Sequence, residues 1–313
     1  MSSRHLVDAE IVPLIDLFAE IAFTPEALPA LREAPMTAPT PRDDRVRHEC
    51  VTVPGPAGAP DIDLHILTPA NAKGPLPLIY HIHGGGYIVG KASEMVLRHQ
   101  GLVAELGCAL ASVEYRLAPE TVFPGAIEDC YAGLAWMFEH AAERGIDPER
   151  VGVMGESAGG GFAAALALLA RDRREYRLAF QHLVYPMLDD RTGTLSEPHP
   201  YVGDYVWTAS SNRFGWSALL GREPGGDGVS PYAAPARATD LTGLPPAFIY
   251  TGALDLFLEE DLDYARRLAR AGVPVEFHLF PGAFHGFEMA AESHLAKEAG
   301  RLSLSALRRF MRL

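Results

Sequence analysis

The chain of 313 residues has 27 basic and 40 acidic side chains, a formal net charge of −13, and 48% of its residues are hydrophobic. This acidic balance argues against nucleic acid or an anionic membrane as a partner, because both favour surfaces rich in lysine and arginine. The composition is that of a globular protein, and the length is sufficient for one substantial core.

The first part of the chain, residues 1–45, predicts one or two short helices that end in the proline-rich segment APMTAPTPRDD. Acidic residues interrupt its apolar pattern, and no basic segment precedes an unbroken apolar run, so it does not resemble a signal peptide. No apolar run of about 18 residues or more is present, so we expect no membrane span. A cytoplasmic location is the resulting expectation.

Three cysteines, Cys50, Cys108 and Cys130, are widely spaced along the chain. Their spacing matches no metal-binding motif such as C-x-x-C. We expect reduced thiols and no metal site.

Short apolar runs bounded by glycine and proline recur from residue 46 onward, with helical patterns such as 258–269 between them. Such runs are typical of strands that are buried on both faces of a parallel sheet. The alternation predicts an α/β fold with a mostly parallel, eight-stranded sheet. The runs are VRHECVTV (46–53), DIDLHIL (61–67), LPLIYHI (76–82), CALASVEY (108–115), VGVMGE (151–156), LAFQHLVYP (178–186), PAFIYTG (246–252) and VEFHLF (275–280).

Three connections between these predicted strands have distinctive sequences. The glycines and prolines of PGPAGAP favour a hairpin-like link between the first two strands. RGIDPER (144–150) reads as a turn that leads into the strand at 151. The stretch from about 188 to 230 is too long for an ordinary loop, is rich in aromatic residues and predicts a helix over 209–220. We interpret this stretch as an insertion.

The segment VGVMGESAGGGFAAALALLA (151–170) predicts a strand, a tight turn and an alanine-rich helix, with Ser157 at the centre of a G-x-S-x-G pattern. A nucleophilic serine on a strained strand-to-helix turn requires this context. Gly155 and Gly159 leave room for the tight backbone, and the helix N-terminus favours developing negative charge. The pattern alone also fits a glycine-rich helix entry without chemistry, so the prediction depends on this context.

A second glycine-rich segment, HGGG (83–86), directly follows the predicted strand 76–82. Bare backbone N–H groups of this kind can stabilise a tetrahedral oxyanion, each by roughly 3–4 kcal/mol of barrier. We expect Gly85, Gly86 and Ala158 to supply these donors. His83 and Gly84 are expected to support the loop rather than to react.

The proposed nucleophile needs a base and an acid, which should follow it in the order Ser…Asp/Glu…His. His285 lies among small residues after the last predicted strand, whereas the other histidines considered lie within strands or a helix (His81, His278, His294). Asp255 follows the strand 246–252 before the helical pattern begins, and Glu259 is the second candidate.

Five motifs occur in a fixed order: HGGG (83–86), EYRLAPE (114–120), GESAGG (155–160), the segment around Asp255, and HGF (285–287). Together they resemble the bacterial hormone-sensitive-lipase-type esterases, also called family IV, of the α/β-hydrolase superfamily. FPGAIEDC (123–130) and YPMLD (185–189) match flanking segments, so the resemblance covers about residues 45–313. It departs at Glu156, where aspartate is frequent, and after Asp255, where Pro-Leu-Arg-Asp is frequent.

This resemblance implies an α/β-hydrolase fold and a carboxylesterase with a short to medium acyl preference. It implies a small-molecule ester substrate, no cofactor and, since many members dimerise, a homodimer. We therefore expect residues 46–313 to form the catalytic domain, with residues 1–45 and the insertion at about 188–230 as a small helical cap. An amidase or transacylase would use the same residues. A non-catalytic receptor on this fold is disfavoured because His285 is retained.

Overall fold

The computed structural model describes residues 3–18, 23–35, 40–194 and 198–313. Within them, eight strands form a single sheet. The strands are β1 (Val46–Val53), β2 (Ile62–Pro69), β3 (Leu76–Ile82), β4 (Ala109–Val113), β5 (Ile146–Glu156), β6 (Gln181–Val184), β7 (Ala247–Gly252) and β8 (Val275–Phe280).

The order of the strands across the sheet is β1-β2-β4-β3-β5-β6-β7-β8. β1 and β2 pair antiparallel, as do β2 and β4, and every other pair is parallel. The predicted α/β-hydrolase architecture with a mostly parallel, eight-stranded sheet is confirmed. The antiparallel β1–β2 pair is the hairpin that PGPAGAP predicted.

One connection differs from the prediction. β5 begins at Ile146, so RGIDPER does not end before the strand. Leu76 pairs with Ile146, but Leu78 pairs with Val151, so the register shifts within this segment. Pro148 has no N–H for a regular ladder, and such residues are tolerated at irregularities of this kind. The segment is therefore an irregular start of the strand.

Helices cover both faces of the sheet. The α-helices are α1 (Val12–Phe18), α2 (Leu28–Glu33), α3 (Ala92–Met95), α4 (Gln100–Leu106), α5 (Gly125–Glu139), α6 (Ala141–Arg144), α7 (Ala158–Arg173), α8 (Ala209–Leu220), α9 (Leu258–Arg270) and α10 (His294–Met311). Short 3₁₀ segments lie at Ser3–Leu6, Val96–His99, Pro235–Arg237 and Phe287–Met289. The helices predicted over 209–220 and 258–269 appear as α8 and α9.

The largest buried cluster contains side chains of β2 to β5 together with those of α5 and α7. α7 is buried along almost its whole length, because its alanines and glycines let it lie close to the strands. A second cluster packs Phe248, Tyr250 and Phe280 against α10 and the N-terminal segment. These two cores hold the carboxyl ends of the parallel strands in fixed positions.

The N-terminal segment and the insertion contact each other and the sheet domain. The Ser3 hydroxyl donates to the Asp204 carboxylate at 2.8 Å, and Phe23 meets Trp207 edge-on, with ring centroids 5.0 Å apart. Part of APMTAPTPRDD (36–39) and of the insertion (195–197) lies outside the described residues. The division into a cap of residues 1–45 and a catalytic domain of residues 46–313 stays a prediction.

Among the described helices, none is both long and apolar enough to cross a bilayer. All three cysteines carry free thiols; Cys108 and Cys130 are buried and Cys50 is exposed.

Candidate active site

Ser157 lies on the turn between β5 and α7, with φ of 56° and ψ of −123°. A non-glycine residue rarely adopts this conformation, and such strain is typical of a nucleophile elbow. A Cβ at Gly155 would lie 2.2 Å from the Gly159 carbonyl oxygen, and one at Gly159 would lie 2.0 Å from that of Ile82. The two glycines of the motif are therefore required by close backbone contacts.

His285 lies on the turn between β8 and the Phe287–Met289 segment, and its ring spans the space between two other predicted residues. Its Nε2 atom is 2.9 Å from Oγ of Ser157, and its Nδ1 atom is 2.8 Å from Oδ2 of Asp255. Asp255 is fully buried, and its other oxygen accepts the N–H of Phe257 at 3.0 Å. Glu259, the second candidate, is exposed on α9.

The glycine loop after β3 brings backbone N–H groups to the same place. Gly85 and Gly86 have φ of 119° and 59°, values that favour glycine. Within the described ranges, neither N–H donates to a backbone carbonyl. Ala158 is the first residue of α7, where an N–H has no partner inside the helix. The N–H groups of Gly85, Gly86 and Ala158 are therefore free of backbone partners within the described residues and could bind an oxyanion.

His83 contacts its own loop rather than Ser157. Its Nδ1 atom is 2.8 Å from the Gly84 carbonyl oxygen, and its ring stacks on Tyr115 at 4.3 Å. The Tyr115 hydroxyl donates to the His83 carbonyl. Burial lowers the pKa of His83 to about 4, so its ring is neutral at neutral pH. These contacts fit the supporting role expected for His83 and Gly84.

A cavity of about 260 Å³ opens over Ser157 and His285. Trp207 forms part of its wall, and a Cβ at Gly86 would lie only 2.1 Å from the Trp207 ring. Side chains from both the N-terminal segment and the insertion contribute to the apolar wall. The apolar lining residues are Phe23, Leu31, Val89, Met95, Val206, Trp207 and Met289.

Sequence reasoning missed the polar side chains of this cavity: Arg98, Tyr185, Glu288 and, as a lining residue, Glu156. The Tyr185 hydroxyl donates to one oxygen of Glu288, and the other oxygen has no hydrogen-bond partner among the described residues. Burial raises the pKa of Glu288. The proximity of Glu288 to His285 in the sequence could have signalled its position.

Glu156 lines the same cavity and interacts with two histidines, His81 and His99. Burial acts to raise the pKa of Glu156, but the interactions with His81, His99 and Arg98 together outweigh it and lower the pKa to about 2. Burial lowers the pKa of His99 to about 3. At neutral pH, Glu156 is therefore ionised and the His99 ring is neutral.

The EYRLAPE motif has a structural role, through hydrogen bonds from Arg116. Arg116 donates to both oxygens of the fully buried Asp129 carboxylate, at 2.6 and 2.8 Å. The backbone N–H of Arg116 donates to the same group at 3.0 Å. This network fixes the chain after β4 against α5, as expected for a structural motif.

The chain is similar to known proteins in both sequence and structure. Residues 79–289 match the profile of a family described as having the alpha/beta hydrolase fold. Carboxylesterase NlhH of Mycobacterium tuberculosis is 34% identical over 318 residues, which cover 98% of this chain and 97% of that protein. The chain belongs to the hormone-sensitive-lipase-type family of the α/β-hydrolase superfamily.

Esterases with solved structures are similar over almost the whole chain. A bacterial heroin esterase superposes with a TM-score of 0.89 at 38% identity, covering 99% of this chain and all of that one. The hyperthermophilic esterase from the archaeon Pyrobaculum calidifontis superposes with a TM-score of 0.83 at 29% identity, covering 97% and 98%. The protein is therefore an enzyme of the carboxylesterase class.

Proposed function

We propose that the protein hydrolyses short- to medium-chain carboxylic esters through Ser157, His285 and Asp255, by way of an acyl-enzyme. The main support is the continuous contact from Ser157 Oγ to His285 Nε2 at 2.9 Å and from His285 Nδ1 to Asp255 Oδ2 at 2.8 Å. A base within this reach can take the hydroxyl proton as the oxygen attacks.

In the first half-reaction, Ser157 Oγ attacks the ester carbonyl carbon and its proton passes to His285 Nε2. Asp255 accepts a hydrogen bond from the Nδ1–H group of His285, which fixes the ring tautomer and stabilises the imidazolium. The N–H groups of Gly85, Gly86 and Ala158 bind the oxyanion. His285 then protonates the leaving alcohol as the carbon–oxygen bond breaks.

In the second half-reaction, water attacks the acyl-enzyme carbonyl, and His285 takes a proton from that water. Collapse of the tetrahedral intermediate releases the carboxylic acid, and the proton returns to Ser157. The reaction as drawn needs no cofactor, because each proton and electron pair stays with Ser157, His285, water and the substrate.

The cavity supports the substrate range that we propose. At about 260 Å³, it falls just below the range of roughly 300–1,000 Å³ typical of sites for larger ligands. Its apolar wall suits an acyl chain or a small apolar alcohol. We propose that residues 1–45 and 188–230 form the cap of this pocket, and we retain a homodimer and a cytoplasmic location as predictions.

A panel of p-nitrophenyl esters from acetate to palmitate, with p-nitroanilide controls, tests this function. We expect turnover of acyl groups of two to about eight carbons and little of palmitate. Faster cleavage of the anilides would favour an amidase, and acyl transfer to added alcohols ahead of hydrolysis would favour a transacylase. An organophosphonate should label Ser157 once per chain, and labelling of another serine would refute the assigned nucleophile.

A further inference from the structure

Three side chains that can bind a metal ion meet at Glu156, the residue that precedes Ser157. His81 lies in β3, His99 ends its 3₁₀ segment, and Glu156 is the last residue of β5. His81 pairs with Met154, two residues before Glu156, so the side chains of His81 and Glu156 extend from the same face of the sheet. This cluster could not be predicted from the sequence, because His81 and His99 are far from Glu156 along the chain.

The donor atoms are spaced as ligands of a single ion. Nε2 of His81 is 3.0 Å from Oε2 of Glu156 and 3.2 Å from Nε2 of His99. Nε2 of His99 is 3.8 Å from Oε1 of Glu156. Two ligands of a tetrahedral zinc ion, with bonds of about 2.0–2.1 Å, lie about 3.3 Å apart. The separations that involve His81 are close to this value, and the 3.8 Å separation is to the other oxygen of the Glu156 carboxylate. One ligand atom from each of the three residues lies within 4.8 Å of the other two.

A hydrogen bond to Ser112 orients the His81 ring toward the other two side chains. Nδ1 of the fully buried His81 is 2.8 Å from the Ser112 hydroxyl oxygen, so Nε2 alone faces His99 and Glu156. Two imidazole nitrogens 3.2 Å apart cannot both act as acceptors, so at least one of them carries a hydrogen. A metal ion can take the place of hydrogen between these atoms, while Ser112 holds the His81 ring through Nδ1, as outer partners of metal-bound histidines do.

We propose that His81, His99 and Glu156 form a binding site for a divalent first-row transition-metal ion such as Zn²⁺. Two imidazoles and one carboxylate suit such ions, whereas Mg²⁺ prefers oxygen ligands. Three protein ligands leave a coordination position for water or for an oxygen of a small molecule. Glu156 lines the cavity that contains Ser157, which gives the ion a route to the site.

The positive charge of Arg98 allows an electrostatic test of the proposed metal site. Its side chain lines the same cavity and interacts with both Glu156 and His99. A positive charge there opposes the binding of a cation. Replacing Arg98 with glutamine should therefore tighten the binding of Zn²⁺, although it removes no ligand.

Isothermal titration of the full chain with Zn²⁺ tests the site without depending on esterase activity. We expect one saturable ion per chain, no competition by Mg²⁺, and an affinity at least about tenfold weaker in His99→Ala and Glu156→Gln. Ser112→Ala keeps all three donors and should weaken binding less. Circular dichroism verifies that each variant is folded. The unmodified chain loaded with Co²⁺ should show tetrahedral d–d absorption that Zn²⁺ displaces.

Two matched controls locate the ion. His285→Ala removes the histidine at Ser157, and His48→Ala removes one member of another imidazole pair, in which Nε2 of His48 is 3.2 Å from Nδ1 of His65. Both variants should bind Zn²⁺ as the unmodified chain does. Loss of binding in either control, unchanged binding in His99→Ala, or the absence of saturable binding or of the cobalt bands overturns the proposal.

Discussion

Oδ2 of Asp255 lies 2.8 Å from Nδ1 of His285, in a fully buried position at the end of β7. Asp255→Asn keeps the size of the side chain but favours the wrong tautomer of His285. We expect the fold to remain and kcat to fall by about 10⁴. Glu259→Gln, on the exposed face of α9, should change kcat little. Steady-state kinetics on p-nitrophenyl butyrate distinguish the two acids, and a severe loss in Glu259→Gln would show that Asp255 is the wrong choice.

Gly85→Ala tests the loop that we propose to bind the oxyanion. The added Cβ would lie 2.1 Å from the Val89 backbone oxygen, at a φ of 119°, so the loop must shift. We expect kcat to fall by about 10²–10³ as a donor is misplaced. Gly107→Ala is the matched control, because Gly107 also has a positive φ but has open space around it. Equal loss of activity in both variants would argue against the proposed oxyanion site.

Trp207→Ala should enlarge the cavity over Ser157, because the indole ring packs directly against Gly86. The expected result is a rise in kcat/KM for decanoate and longer esters relative to acetate, measured with the ester panel. Trp136→Ala is the control. Trp136 lies on α5, stacks on His140 just after that helix, and does not line the cavity. An unchanged chain-length profile in Trp207→Ala would remove this residue from the acyl pocket.

Arg32 should hold the proposed cap over the pocket. Its Nε donates to the Ile88 carbonyl at 2.8 Å and its Nη2 to the Ala118 carbonyl at 2.7 Å. We expect Arg32→Ala to raise KM more than it lowers kcat, because the cap binds substrate without touching the reacting atoms.

The exposed partner of Arg32 supplies the control for that prediction. Glu120 also pairs with Arg32, at 2.7 Å, but its side chain is 64% exposed, and such pairs contribute about 0–1 kcal/mol. Glu120→Gln should therefore leave KM nearly unchanged. If Glu120→Gln and Arg32→Ala raise KM equally, the hydrogen bonds from Arg32 to the Ile88 and Ala118 carbonyls do not hold the proposed cap in place.

Asp261 should make stability depend on pH. Burial raises its pKa well above the usual value, with Glu260 and Asp255 adding to the effect. The folded state therefore keeps a proton that the unfolded state releases, and stability falls as pH rises from the ordinary aspartate pKa toward the raised one. Asparagine cannot ionise, so the free energy of unfolding of Asp261→Asn should rise relative to that of the unmodified chain as pH rises. The difference should grow by at most about 1.4 kcal/mol per pH unit.

Urea unfolding at pH 5 and pH 8 measures this difference. Glu259→Gln, an exposed neighbour on the same helix, should show no such trend. A gain for Asp261→Asn that is equal at both pH values would mean that Asp261 does not titrate differently in the folded state.

The local sequence determined the strands, the helices α8 and α9 and the turn at Ser157, because each depends on neighbours along the chain. Apolar runs bounded by glycine and proline set the strands, and Gly155 and Gly159 are required wherever backbone approaches the elbow this closely. The irregular start of β5 was missed because Pro148 signals a turn locally, whereas pairing with β3 draws Ile146 into the sheet.

The tertiary structure alone decided which distant groups meet. The position of Asp255 just after the strand 246–252 predicted its role, but only the tertiary structure brings it against His285. The pair of Tyr185 with Glu288 depends likewise on packing between segments about a hundred residues apart. So does the meeting of His81 with Glu156, because parallel strands bring together residues whose distance along the chain carries no information about distance in space.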